Sequence, residues 1–150
     1  MDGCLSCELY EGLRPLPGGL IFRTDHWLVE HCVGPLGLGT LVVVPERHVN
    51  AVADLRDEET SELGHLLHKS SNVAGQLVEA DQVYNCLWSH AGGERSHIHY
   101  VVQPITREQM DRFGARGPAL QVAMFDSAEL PPVDAVEEIA ERARRLFAET

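Results

Sequence analysis

Three features of the sequence predict an α+β fold. Short runs rich in β-branched and aromatic residues gather between residues 20 and 44 and again between 82 and 104. One long helical periodicity lies between them, and an amphipathic stretch ends the chain. Together they give an antiparallel sheet of about five strands, one long helix packed on it, and a C-terminal helical extension. A chain of 150 residues is of one-domain size and can bury about two thirds of the surface its unfolded form exposes. We expect a single domain over 1–150, with a core over 1–106 and an extension over 107–150.

Each element has a local cause. GGLIFRTDHWLVEH, residues 18–31, holds two β-prone runs around a polar turn at Thr24 and Asp25, the pattern of a hairpin. LGLGTLVVVPERH, residues 36–48, is a glycine-punctuated loop leading into Leu41–Val44, a continuous apolar run suited to a buried strand. Pro45 ends that run because proline has no N–H for a ladder. From about Asp57 to Val78 the period changes: Leu63, Leu66, Leu67, Val73 and Leu77 recur at helical spacing, and Asp57, Glu58 and Glu59 put negative charge in the first turn. QVYNCLW and SHIHYVVQP then flank SHAGGER and read as two strands joined by a glycine turn. In PPVDAVEEIAERARRLFAET, Val136, Ile139, Ala140, Ala143 and Phe147 share one face of a terminal helix that starts after prolines. No internal repeat is visible.

Charge limits the partners. A formal charge of −11 repels nucleic-acid backbones and anionic membranes, so neither is expected, whereas a small anion in a local pocket is still allowed. No run reaches the length of a membrane span and the N-terminus has no signal pattern, so a cytoplasmic protein is expected. Four cysteines, Cys4, Cys7, Cys32 and Cys86, are too few and too irregular for a disulfide framework. By spacing alone, CLSC fits zinc, redox chemistry or two ordinary thiols.

SHIHYVVQP carries two imidazoles. On a strand, His97, His99 and Val101 share one face and Ile98, Tyr100 and Val102 the other, which can pack on the helix. The histidines follow Ala91, Gly92 and Gly93, where backbone N–H groups can approach an anion closely. A half-exposed strand with two polar residues fits the same pattern.

The ordered set from Cys4 to about Pro104, namely CLSC, LGTLVVVPERHV, an acidic-started helix, AGG and HIHYVVQP, resembles the histidine triad (HIT) superfamily of nucleotide hydrolases and transferases. Its signature is His-x-His-x-His-x-x, commonly followed by proline. Pro104 fixes the register, so His97 and His99 match the first two histidines and Val101 stands at the third. The resemblance makes His99 the nucleophile at an α-phosphorus, forming a nucleotidyl-histidine that water or another acceptor resolves. The other ring nitrogen of His99 would donate to a fixed acceptor such as a backbone carbonyl. Gly92 and Gly93 would orient phosphate oxygens. The zinc-binding members of the family imply Cys4, Cys7, His48 and His97 as a closed Cys2His2 site holding structural Zn2+. A homodimer is implied, because small HIT-like proteins usually are, with a nucleoside phosphate or related small molecule as substrate.

Departures from the family bear on activity. Valine cannot donate to phosphate, so Arg95, Ser96 and His90 in the adjacent turn become candidate donors. Gly93 stands where a glutamine often follows the family's AG, and Cys32 or His31 stands where an aspartate commonly holds ribose hydroxyls. The leading expectation is a nucleotide hydrolase or nucleotidyl transferase. Its rivals are a zinc-stabilised binding protein without catalysis, and a biosynthetic enzyme with a non-nucleotide phosphoester substrate. Elsewhere, His65 and His68 lie one turn apart but lack supporting ligands. Trp27 and Trp88 could stack on a base or fill the core. Arg112 to Phe125, with Arg112 and Arg116 beside glycines, could form a lid or a dimer contact, and reads as structural packing ahead of phosphate binding.

Overall fold

The computed structural model describes residues 3–88 and 97–149. Its strands are β1 (Leu20–Arg23), β2 (Trp27–His31), β3 (Leu41–Pro45), β4 (Gln82–Trp88) and β5 (His99–Ile105). Its helices are α1 (Leu5–Tyr10), α2 (Asp57–Leu77), α3 (Arg107–Phe113), α4 (Pro118–Ser127) and α5 (Val133–Glu149). The strands form one five-stranded antiparallel sheet in the order β1-β2-β3-β5-β4, so the α+β expectation holds.

The continuous apolar run of β3 has a simple cause: all five of its residues are buried, and β2 and β5 flank it. One face of the sheet carries Trp27, Val29, Leu41, Val43 and Val102. It packs against Leu66, Val73, Ala74 and Leu77 of α2 and Ile139, Ala143 and Phe147 of α5. Trp27 is fully buried there, and its Nε1 donates to the Glu59 carbonyl at 2.8 Å. It therefore serves the core.

The terminal helix α5 belongs to this core. Phe147 stacks on Phe22 with centroids 4.7 Å apart, and the Lys69 ammonium lies 4.6 Å from the Phe22 ring centre. Gly18 makes the close approach possible: its φ is +77°, and a Cβ there would come within 2.5 Å of the Ala140 Cβ.

The opposite face is covered differently. Ile105 packs with Leu120 and Met124 of α4, and Met110 and Phe113 of α3 join them. Thr106 caps α3, accepting from Gln109 N at 3.3 Å. Gly114, in the left-handed region, ends that helix. Arg112 pairs with Glu129 across this segment at 2.6 Å, and Phe113, Ala115, Leu120 and Met124 are the residues of Arg112–Phe125 that pack.

β5 starts later than alternation from Ser96 suggests. Ile98 N donates to the Val49 carbonyl at 2.9 Å, drawing residues 97 and 98 toward the loop after β3 before the ladder begins at His99. Among the described residues no helix is long and apolar enough to cross a membrane.

Leu66, at the centre of the α2 contact, tests the core. Leu66→Ala is expected to cost about 3 kcal/mol, read as a lower midpoint at unchanged slope in urea denaturation.

Candidate metal centre and active-site face

Cys4 and Cys7 come together because α1 starts between them. Cys4 occupies the N-cap position with extended backbone, and Cys7 follows one turn later, so both thiols can face one side. The helix is short and is held from outside. Glu8 accepts from Gly3 N at 2.7 Å, and the Tyr10 hydroxyl donates to Glu46 at 3.2 Å. His48 arrives from the loop after β3 and His97 from the segment before β5. The four ligand atoms of Cys4, Cys7, His48 and His97 all lie within 4.8 Å of one another.

Their spacing fits a tetrahedral ion. With Zn–S of about 2.3 Å and Zn–N of about 2.0 Å, tetrahedral angles put sulfur and nitrogen about 3.5 Å apart. Cys7 Sγ lies 3.4 Å from His48 Nδ1 and 3.7 Å from His97 Nδ1, and Cys4 Sγ lies 3.7 Å from His97 Nδ1. Protonation fits as well. Burial, reinforced by His48, pushes His97 down to about 4, so its ring is neutral. Burial and the neighbouring Cys4 push the Cys7 thiol up to about 11, so an entering metal would displace a proton. The remaining nitrogen of His97, Nε2, is buried beside the backbone of Pro45 and Arg47 without a well-formed hydrogen bond. A surface cavity bordered by Ser6, Tyr10, Glu46 and His48 gives an ion a way in. Four soft and borderline donors with no fifth in the set suit structural zinc.

His99 is half-buried, and its Nδ1 is 3.0 Å from the His97 carbonyl oxygen. A carbonyl only accepts, so Nδ1 carries the proton and donates, leaving the lone pair on Nε2. That is the tautomer a nucleophilic imidazole needs.

No protein-family model matches the chain. An uncharacterised HIT-like protein of Borreliella burgdorferi is 26% identical over 135 residues, covering 87% of this chain and 94% of that protein. A Hit-like protein involved in cell-cycle regulation from Bartonella henselae superposes with a TM-score of 0.72 at 15% identity over 97% of both chains. A Zn-bound histidine triad family protein from Mycobacterium smegmatis does so with a TM-score of 0.69 at 19% identity, over 98% of this chain and 94% of the other. This chain has the HIT fold. The diadenosine triphosphate hydrolase of Plasmodium falciparum has the same fold, with a TM-score of 0.62 at 16% identity over 87% of this chain and 77% of that one. The Cys4, Cys7, His48 and His97 cluster fits the Cys-x-x-Cys zinc type of HIT protein.

The HIT departures can now be placed. Val101 is 1% exposed and lies in one lateral row with Glu30, Val42 and Cys86. By alternation this is also the face of His99. Beside Val101, Gln121 of α4 donates to Cys86 Sγ at 2.9 Å and to Gln103 Oε1 at 3.0 Å, while Gln103 donates to the Leu36 carbonyl at 2.9 Å. Both amide hydrogens of Gln121 are thus committed to protein acceptors. Burial pushes the Cys32 thiol up to about 11, and His31 is closed between the Cys32 carbonyl at 2.8 Å and Gly39 N at 3.0 Å. Neither is a carboxylate substitute. His65 and His68 are exposed and join no metal-ligand group among the described residues. His90, Gly92, Gly93, Arg95, Ser96 and the Trp88 side chain lie outside the described residues.

Two features escaped the sequence reading. One is Glu30, 4% exposed on the His99 face. Burial alone pushes its carboxyl up to about 7, with no partner among the described residues to offset it. The other is the bond of Glu59 to Arg47, since Glu59 reads from sequence only as first-turn charge.

Glu30 makes stability depend on pH with an unusual sign. Its native pKa is above the unfolded 4.5, so the unfolded state ionises first and stability falls as pH rises from about 4.5 to about 7. Glu30→Leu removes this loss. The gain of the variant over wild type is expected to grow by about 2 to 3 kcal/mol between pH 5 and pH 8, measured by urea denaturation at both.

Proposed function

We propose that this protein is a nucleotide hydrolase or nucleotidyl transferase acting at an α-phosphorus through a covalent intermediate on His99. The observation that carries the reading is the bond from His99 Nδ1 to the His97 carbonyl at 3.0 Å, which leaves Nε2 as the nucleophilic nitrogen. Nε2 attacks phosphorus, and the leaving group departs with the electrons of its bond to phosphorus. Water or another acceptor then breaks the P–N bond and restores the imidazole. The hydrolase from Plasmodium falciparum, with the same fold, supports this class of reaction. Gly92, Gly93, Arg95, Ser96 and His90 are the proposed phosphate contacts. One of the last three supplies the donor that Val101 cannot.

Zinc, on this reading, is structural. Cys4, Cys7, His48 and His97 hold it, and it supplies cross-linking of the chain on the order of 10 kcal/mol. Four free thiols suit a reducing, cytoplasmic setting. The protein acts as a single domain and a homodimer, and the unpaired edge of β4 is a surface on which two copies can meet.

A second reading, a zinc-stabilised binding protein without catalysis, is favoured by Val101 and the closed Gln103–Gln121 network beside it. The absence of a carboxylate where Cys32 or His31 stands at the ribose-aspartate position favours a third: an enzyme for a non-nucleotide phosphoester.

His99→Ala is expected to abolish turnover of a panel of nucleoside phosphoramidates and dinucleoside polyphosphates while the far-UV spectrum stays native. A radiolabelled substrate should leave acid-labile label on His99; turnover surviving the substitution overturns the catalytic reading. Calorimetry showing nucleotide binding without turnover in the native protein supports the binding-protein reading. Protein purified without added zinc should contain one zinc per chain by elemental analysis, and Cys4→Ser should lose it along with thermal stability.

A further inference from the structure

The loop between β3 and α2 presents His48, yet apart from one 3-10 turn at Val52–Asp54 it has no regular structure. One side chain ties it down at three acceptors. Arg47 reaches Glu59 with two prongs, Nε to Oε1 at 2.9 Å and Nη2 to Oε2 at 2.8 Å, and Nη2 also donates to the Asp54 carbonyl at 2.9 Å. The Glu59 side chain is only 3% exposed. Its Oε2 accepts in addition from Arg56 N at 2.7 Å, and its own carbonyl holds the indole of Trp27. Glu59 is therefore rooted in the core, and Arg47 is moored to it.

Residue 47 bears on both histidines of the cluster. His48 is its chain neighbour, and the backbone of Arg47 and Pro45 flanks the His97 ring. The two rings are 4.8 Å apart, tilted by 58°. Two further bonds bracket the segment: Glu46 N to the His26 carbonyl and Ile98 N to the Val49 carbonyl, each 2.9 Å. Between them the Arg47 side chain sets the path of the main chain. An ion pair whose Arg47 side chain is still 36% exposed adds little net stability, whereas a two-pronged guanidinium bond fixes direction. We propose that the Arg47–Glu59 pair is a positioning device for the four-donor site, holding His48 and His97 at tetrahedral spacing from Cys4 and Cys7. The inference rests on the zinc reading given above.

The test uses Glu59→Gln and Arg47→Lys in the full chain, at a temperature where circular dichroism shows both folded. Zinc affinity is measured by competition with a chromophoric chelator, and site geometry by the visible absorption of the protein loaded with cobalt(II) chloride. Each variant is expected to bind zinc about 10-fold more weakly or worse, with a weaker and shifted tetrahedral cobalt band. Metal-free thermal unfolding should change much less. Arg47→Lys keeps the charge and loses the fork, so it should not rescue the site. Wild-type affinity and cobalt spectrum in both variants overturn the inference while leaving the zinc reading intact. A wild-type protein that binds no zinc overturns both. If Glu59→Gln does not fold, Arg47→Lys decides alone.

Discussion

His97 is held at both ends. Its ring joins Cys4, Cys7 and His48, and its carbonyl oxygen accepts the proton of His99 Nδ1. The first contact ties the N-terminal helix, the loop after β3 and the entry to β5 at one point. The second converts that fixed point into a tautomer choice at the next imidazole. Because the two contacts use different atoms of one residue, the orientation of His99 follows from where the chain at 97 is anchored.

The rest of the fold keeps this arrangement accessible. Stability is concentrated on one side of the sheet, where α2 and α5 bury the large apolar cluster around Trp27 and Phe147. On the other side, the buried cluster of Leu28, Val42 and Val44 is small, and α3 and α4 cover chiefly the β5 end. That asymmetry lets polar and ionisable groups such as Glu30, His99 and Gln103 occupy a sheet surface without competing with the main core. Glu30 carries the cost most plainly, as a carboxyl kept out of water with no partner among the described residues to offset the loss.

Much of this was legible in the chain. QVYNCLW became β4 residue for residue, and α2 ends within a residue of its expected boundary, because alternation and helical periodicity over long segments are strong signals. The Cys2His2 group was also readable, because the resemblance to zinc-binding HIT chains implied His48 and His97 as the partners of CLSC. What failed has physical causes. α1 has six residues and no side-chain cap, so local pattern carries little information there. His97 and Ile98 stay outside β5 because a tertiary bond from Ile98 outweighs strand propensity. Glu30 sits where alternation in a half-exposed strand would place a solvent-facing residue, but both faces of β2 are covered. The Arg47–Glu59 fork joins residues twelve apart across a loop, and no periodicity reports that distance.

The valine at position 101 ties the triad face to the C-terminal part of the chain. It is enclosed by Val42 and Cys86, and Cys86 Sγ accepts a hydrogen bond from Gln121 of α4. An imidazole is larger than an isopropyl group and brings two nitrogens that need partners. Restoring it would force Cys86, Gln103 and Gln121 to rearrange together. Position 101 is therefore coupled to α4, and a full triad on this scaffold would need several coordinated substitutions.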